Sequence, residues 1–380
     1  MATTSFGLEA VVARELKQLG YDDCTVTDGR VTFVGDELAL CRANLWLRCA
    51  ERVFWKLAEF PGRDFDELFE GVKSLGWRDW LPTDAAIPVR GRSVRSQLSS
   101  VPACQSIVKK AIVESMKSGT NLSRLPETGP EYAVEFSLLK DRVTIALDIS
   151  GAGLHKRGYR TLTGQAPLRE TLAAGLVLLS FWNRERPFVD PFCGTGTIPI
   201  EAALIGRNIA PGMNRTFAAE VWPTIPPKTW EQAREEARDA ITNDLRFTLI
   251  GTDRDAQALR MARYHAEKAG VAENIHFQQK EFSDLTTKRS YGCLICNPPY
   301  GERVGELAEA EALYREMAGV LAGLETWSFY VLTSHPKFES LFGRKADRRR
   351  KLYNGRIECT YYQYHGKRPP RRKSPTNDGS

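Results

Sequence analysis

Asn297-Pro298-Pro299-Tyr300 ends the apolar run Tyr291-Gly292-Cys293-Leu294-Ile295-Cys296. The run reads as a short buried strand. Two prolines then stop it, because they carry no backbone donor and fix φ, so the chain leaves the sheet in one rigid shape. The corner holds two acceptors, the Asn297 side-chain oxygen and a nearby carbonyl, beside the aromatic face of Tyr300. Such an arrangement suits a flat amine such as that of a nucleobase.

A second group lies upstream. The strand Phe188-Val189-Asp190 runs into Pro191-Phe192-Cys193-Gly194-Thr195-Gly196-Thr197. A glycine-rich turn between a strand and its helix lets a ligand approach the backbone closely. Pro199 stands where a dinucleotide fingerprint wants a third glycine, which disfavours a nicotinamide cofactor. Asp190 would repel a pyrophosphate and attract a cationic ammonium group. Further on, Thr252-Asp253-Arg254-Asp255 follows the next strand. An acid there can take both hydroxyls of a ribose, so Asp253 is read as the ribose ligand and Asp255 as the cap of the helix from Ala256. After the third strand, Glu281 or Asp284 could accept from an adenine amino group, with Phe282 packed on the ring.

These residues need a scaffold. From residue 165 to 365, helical segments alternate with short apolar strands at Pro187–Phe192, Phe247–Gly251, Ile275–Gln279, Gly292–Cys296 and Trp327–Thr333. That alternation predicts a doubly wound, mostly parallel α/β sheet. All the loops named above fall at strand C-termini, the edge where open α/β sheets bind ligands. The stretch from Pro211 to Thr242 reads as an insertion. Before this domain lie two α+β regions, residues 1–60 and 61–155. The first shows a helix near Gly7–Leu19, a hairpin about Asp28-Gly29 and a helix capped by Asp36. The second shows a helix over Ala103–Met116 that carries Lys109 and Lys110 outward, then strands at Tyr132–Leu139 and Arg142–Asp148. Leu154-His155-Lys156-Arg157-Gly158-Tyr159-Arg160 follows. Basic side chains around an aromatic can grip phosphate and stack on a base.

The net charge is +6, but Gly343–Ser380 carries +9, leaving −3 on the first 342 residues. Basic charge concentrated at one end fits a protein that touches phosphate. The tail from Gly366 reads as disordered. Cys293 and Cys296, the one C-x-x-C pair, lie inside an apolar run and read as buried strand residues, so no metal site is expected. No segment has the length of a membrane span, and the N-terminus lacks the pattern of a secretory signal, which points to a cytoplasmic protein.

D-P-F-C-G-T-G-T, the acid after the second strand, and N-P-P-Y together resemble the S-adenosylmethionine-dependent amino methyltransferases. Leu154–Arg160, Ala166-Pro167-Leu168-Arg169-Glu170-Thr171-Leu172-Ala173-Ala174 and Asn297–Arg303 (N-P-P-Y-G-E-R) narrow the resemblance. They resemble the THUMP-domain-containing bacterial guanine-N2 methyltransferases of 23S rRNA, in the type without a second methyltransferase domain fused at the C-terminus. The resemblance implies a ferredoxin-like domain over 1–60, a THUMP RNA-binding domain over 61–155, a Rossmann-like class I methyltransferase domain over 156–365, and a basic tail over 366–380. It also implies S-adenosylmethionine as cofactor and RNA as partner, with 23S rRNA favoured and tRNA possible.

Residue by residue, the resemblance places Asp190, Gly194 and Gly196 around the methionine end of the cofactor, with Phe192 also binding the cofactor. It places Asp253 on the ribose, Glu281, with Phe282, on the adenine side, and Asn297 among the cofactor-binding residues as well. Asn297 and the Pro298 carbonyl hold the target amine and Tyr300 stacks on the base. Lys109, Lys110, His155, Lys156, Arg157 and Arg160 contact RNA. The alternatives are a tRNA guanine-N2 methyltransferase, an adenine-N6 DNA methyltransferase with the same N-P-P-Y, and a non-catalytic RNA-binding assembly factor.

Overall fold

The structure, a computed structural model, describes residues 1–118, 124–161, 168–301 and 306–370. These residues form two compact units. The first comprises Met1–Thr4, Val12–Lys156 and Ala210–Asp239, and the second Ser5–Val11, Arg157–Ile209 and the described residues from Ala240 on.

The first 156 residues supply β1 (Ala2–Thr4), α1 (Glu9–Gln18), β2 (Cys24–Thr27), β3 (Arg30–Phe33), α2 (Glu37–Trp46), β4 (Ala50–Pro61), α3 (Phe65–Lys73), β5 (Val89–Val94), α4 (Val101–Lys117), β6 (Val134–Leu139) and β7 (Arg142–Asp148). The signals read in the sequence act locally. Gly29 adopts φ 70° in the β2–β3 turn, and the Asp36 carboxylate accepts from the Ala39 N–H at 2.9 Å to start α2. Lys140 and Asp141 both take positive φ, 51° and 61°, in the tight β6–β7 turn, which matches the right-handed twist of the paired strands. One result exceeds the expectation of two separate small regions. All seven strands form one sheet, ordered β2-β3-β1-β4-β7-β6-β5. The reason is β4, whose 12 residues pair with β1 near Val53 and with β7 from Phe54 to Pro61.

Then follow α5 (Glu170–Leu179), β8 (Phe188–Asp190), α6 (Thr197–Gly206), α7 (Pro227–Asp239), β9 (Leu249–Asp253), α8 (Ala256–Lys268), β10 (Ile275–Gln279), β11 (Cys293–Cys296), α9 (Glu306–Ala322), β12 (Ser328–Thr333), α10 (Phe338–Phe342), β13 (Arg348–Asn354) and β14 (Ile357–Tyr364). The second unit's sheet is ordered β10-β9-β8-β11-β12-β14-β13. Its first five strands run parallel. β14 is antiparallel to β12 and to β13. Every residue of β8, β11 and β12 is buried, as strands covered on both faces by helices must be. One side of the sheet packs Val331, Phe329 and Leu294 against Tyr314, Met317 and Leu321 of α9.

The segment Ala210–Asp239 interrupts the α/β domain in sequence, yet it clusters with the first unit. Trp222 stacks on Tyr132 with ring centroids 4.3 Å apart. Arg42 of α2 makes a two-pronged ion pair with Glu236 of α7 at 2.6 and 2.7 Å.

Chain order reverses between β8 and β11. From β8 the chain moves outward through β9 to β10, then returns to β11 on the other flank of β8. Loops leaving two such strands diverge and open a crevice at their C-terminal ends. Those two loops carry the Gly194–Gly196 turn and Asn297.

Candidate active site

Asp190 ends β8 and is fully buried. Its Oδ1 accepts from the Phe192 N–H at 3.1 Å, while its Oδ2 has no partner among the described residues. Burial, with Asp253 nearby, pushes this carboxyl well above its ordinary range. A buried carboxylate oxygen left bare is costly. Such an oxygen is able to accept from a cationic ligand.

The turn after Asp190 is held from two sides. The Gly194 N–H donates to Asp253 Oδ2 at 2.8 Å, and Asp253 Oδ1 accepts from the Asp255 N–H at 2.9 Å. Asp253 therefore ties the loops after β8 and β9 together, and each of its oxygens keeps a lone pair for a hydroxyl. Asp255 caps α8 by accepting from the Gln257 and Ala258 N–H groups at 2.7 and 3.2 Å. Gly194 sits at φ 51° with open space where a Cβ would stand, so a ligand can lie directly on its backbone. Gly196 differs: at φ 84°, its Cβ would meet Ala262 and Phe277 at 3.0 Å. It serves the packing of the turn against the sheet. His265 of α8, buried at 1 % exposure, directs Nδ1 to the Thr195 carbonyl at 3.2 Å. That support was not read in the sequence, because His265 lies 70 residues away inside a helix that looks merely amphipathic.

Phe192 and Phe282 stack with centroids 5.1 Å apart. Phe282 is buried in the core and Phe192 lies partly exposed above it. Phe192 is thus the more open ring, and Phe282 supports it. Glu281 and Asp284 are both exposed at the loop after β10.

At the end of β11, Asn297 is half-buried and Pro298 buried. The Tyr300 hydroxyl donates to Asn297 Oδ1. Cys359 Sγ of β14 lies 3.8 Å from the same hydroxyl. Burial pushes the Tyr300 hydroxyl far above the usual phenol range, so it stays protonated and acts as a donor. A carbonyl oxygen has two lone pairs. Tyr300 takes one and fixes which end of the amide is the acceptor, and one remains for a substrate amine. A second tyrosine supports the corner. Tyr314 of α9 is fully buried and donates from its hydroxyl to the Pro299 carbonyl at 2.7 Å. Thr333 Oγ1, 3.0 Å from that hydroxyl, itself accepts from the His335 N–H at 3.0 Å. Burial pushes the Tyr314 hydroxyl to about 12. The rigid corner inferred from two prolines is therefore also anchored from α9 and β12.

A model of the RMKL-like methyltransferase domain matches residues 157–363, one of the RlmL ferredoxin-like domain matches 1–54, and one of the THUMP domain matches 62–148. The chain belongs to the RlmL-like, THUMP-containing methyltransferases. It is 52% identical over 379 residues to the putative RNA methyltransferase YpsC of Bacillus subtilis strain 168, covering 99% of this chain and 98% of that protein. A solved structure from Listeria monocytogenes, described as a predicted N6-adenine-specific DNA methylase, shares 50% identity with a TM-score of 0.92, covering 96% of this chain and 95% of that one. SMU.472, a putative methyltransferase complexed with SAH, shares 44% identity with a TM-score of 0.91, covering 97% and 98% of the two chains.

The family's cofactor is S-adenosylmethionine, and the residues present fit it. Asp190 Oδ2 offers a bare carboxylate oxygen to an ammonium group, Gly194 leaves room for the chain of the ligand, and Asp253 stands beside them.

The proposed RNA contacts fare unevenly. Arg157 is 3 % exposed and pairs with Glu201 of α6, itself fully buried. Tyr159, also buried, donates to Glu201 at 3.1 Å. Arg160 pairs with Glu170 at 3.1 Å and donates to the Leu168 carbonyl at 2.8 Å. Arg157 and Arg160 are therefore internal struts of the α/β domain rather than RNA contacts, and Tyr159 is no stacking surface. The basic stretch looked like a phosphate grip because the acidic partners of Arg157 and Arg160, Glu201 and Glu170, lie outside it. Lys109 is committed to the Ile87 carbonyl at 2.8 Å and to Glu127 at 2.7 Å. His155 lies 3.3 Å from Glu51. Lys110 and Lys156 remain exposed. Ala166, Pro167, Glu302, Arg303 and the tail beyond residue 370 lie outside the described residues. Cys293 and Cys296 are buried in β11, and burial pushes the Cys293 thiol to about 12.

Removing a buried charge's partner is strongly destabilising. Arg157→Ala is expected to cost about 3–5 kcal/mol, read as a lowered midpoint in denaturant unfolding. An unchanged midpoint would show that Glu201 does not depend on this guanidinium.

Proposed function

We propose that this protein transfers a methyl group from S-adenosylmethionine to the exocyclic N2 amine of a guanine in 23S rRNA. The observation that carries the reading is the juxtaposition at the switch point. Asp190, with its bare buried oxygen, ends β8, and the anchored Asn297 corner ends the neighbouring β11. RNA as acceptor is supported by the THUMP match and by the name of the Bacillus relative.

S-adenosylmethionine supplies an electrophilic methyl group carried on a sulfonium. The protein's task is to present the amine. The lone pair of an aryl amine is delocalised into its ring, so the nitrogen is a poor nucleophile. Asn297 Oδ1 and the Pro298 carbonyl would accept hydrogen bonds from its two N–H groups, which favours a pyramidal nitrogen and directs the lone pair away from the ring. As the nitrogen–carbon bond forms, the carbon–sulfur bond breaks to leave a thioether, and the surplus N–H proton passes to solvent. Positioning and fixed dipoles supply the rate enhancement, and no titrating base is needed. The target base leaves its helix or lies in a loop to reach the corner, and the Tyr300 ring is the surface it stacks on.

The adenine-N6 reading is kept because the Listeria neighbour is described as such an enzyme, and the amine of adenine presents the same two hydrogens. tRNA is the competing RNA. Labelled S-adenosylmethionine with 23S rRNA, tRNA and DNA taken from a strain lacking the gene, followed by nucleoside analysis, separates these readings. The expected product is N2-methylguanosine in 23S rRNA. N6-methyladenosine, or label confined to tRNA or DNA, overturns the proposal.

A further inference from the structure

Beside Tyr300, the β13–β14 hairpin turns through Asn354, Gly355 at φ 65° and the exposed Arg356. The 3.8 Å contact of Cys359 with the Tyr300 hydroxyl brings β14 of this hairpin against the Asn297 corner. Tyr353, the last residue but one of β13, is partly exposed. Phe6 meets it edge-on, with ring centroids 6.1 Å apart and planes at 64°. Phe6 is 55 % exposed, so a large part of the ring's apolar surface stays in water.

Nor is Phe6 a loose surface residue. The next residue, Gly7, takes φ 92° and presses so closely on β13 that a Cβ would lie 2.5 Å from the Lys351 carbonyl oxygen. Its N–H donates to Glu9 Oε2 at 2.8 Å. The exposed ring therefore sits on a pinned turn. Lys351 Nζ lies 5.6 Å from the centre of the Tyr353 ring and is paired with Glu358 at 2.6 Å, whereas Arg356, exposed at the hairpin turn, makes no ion pair with another described residue. Two aromatic rings, one of them half exposed, with the unpaired cation of Arg356 at the adjoining turn, provide a stacking surface and a phosphate contact.

We propose that Phe6 and Tyr353, with Arg356, bind an unpaired nucleotide next to the target base on the RNA strand. The inference rests on the RNA reading above. It assigns the flanking nucleotide to stacking, which tolerates any base, and leaves choice of the methylated base to the Asn297 corner.

The test uses the full chain with S-adenosylmethionine bound. Binding is read as anisotropy of a fluorescein-labelled single-stranded oligoadenylate, and turnover as methyl transfer to whichever RNA the wild type methylates. Phe6→Leu keeps an apolar side chain but removes the π face. It is expected to weaken oligoadenylate binding by about five- to a hundredfold and to raise KM for the RNA, with kcat at saturating RNA and cofactor affinity unchanged. Phe6→Trp should restore binding. Tyr353→Leu should act in the same direction and less than additively with Phe6→Leu. Leucine variants that bind and turn over like the wild type overturn the platform alone, as does a wild type that methylates RNA without holding the oligoadenylate. A wild type that neither binds nor methylates any RNA overturns the RNA reading as well.

Discussion

Asn297→Ala is expected to lower kcat by about a hundred- to a thousandfold, with affinity for S-adenosylmethionine unchanged within a few-fold. The size follows from what is removed. A fixed acceptor aimed at charge that develops on the amine acts only as the nitrogen pyramidalises, so its loss appears in turnover rather than in substrate binding. The corner should survive the change. Tyr314 still holds the Pro299 carbonyl at 2.7 Å, and both prolines still fix the backbone. The cofactor side should survive as well, because Asp190 and Asp253 bond to the loops after β8 and β9. Single-turnover methyl transfer alongside calorimetry of cofactor binding checks this. Near-normal turnover would remove Asn297 from the mechanism.

Asp190→Asn should do the opposite on two counts. It removes the one carboxylate oxygen left bare in the buried site, so cofactor affinity is expected to fall by about thirtyfold or more, the effect of truncating one partner of a buried charge pair. Yet the protein without cofactor should become more stable at neutral pH, because an uncompensated buried charge has gone. The sign of the pH dependence follows from the raised pKa. The carboxyl titrates near 3.8 in the unfolded chain and well above that in the folded one. Between those values the folded state binds more protons, so the wild type loses stability as pH rises through the folded pKa, and the full penalty persists above it. The asparagine variant should lack that slope. Thermal melts across pH, with and without S-adenosylmethionine, report both effects. The idea fails if the variant melts below the wild type at neutral pH and still gains stability from the cofactor.

Much of this site is legible in the sequence for a local reason. Proline and glycine restrict or free the backbone at their own positions, so Pro298-Pro299 and Gly194 announce a corner and a cradle without any tertiary contact. Strand ends are also local, and the strands expected at Ile275–Gln279 and Gly292–Cys296 stand at Ile275–Gln279 and Cys293–Cys296. The β13–β14 hairpin is hard to read from sequence, although Asn354-Gly355 is a strong hairpin signal. Its first strand is arginine-rich and only Leu352 is fully buried there, so it lacks the apolar alternation that identifies a strand.

The α/β class of the second half, the family it resembles, and the positions of Asp190, Asp253 and Asn297 at strand ends are legible without coordinates, because short-range sterics and hydrophobic period carry that information. Which charges are buried and paired emerges from packing alone. Arg157 finds Glu201 44 residues on, and Tyr314 finds the Pro299 carbonyl from a separate helix. Packing also places Phe6, near the start of the chain, against Tyr353. A side chain's solvent exposure and its partner are set by packing between distant segments, and no local pattern encodes them.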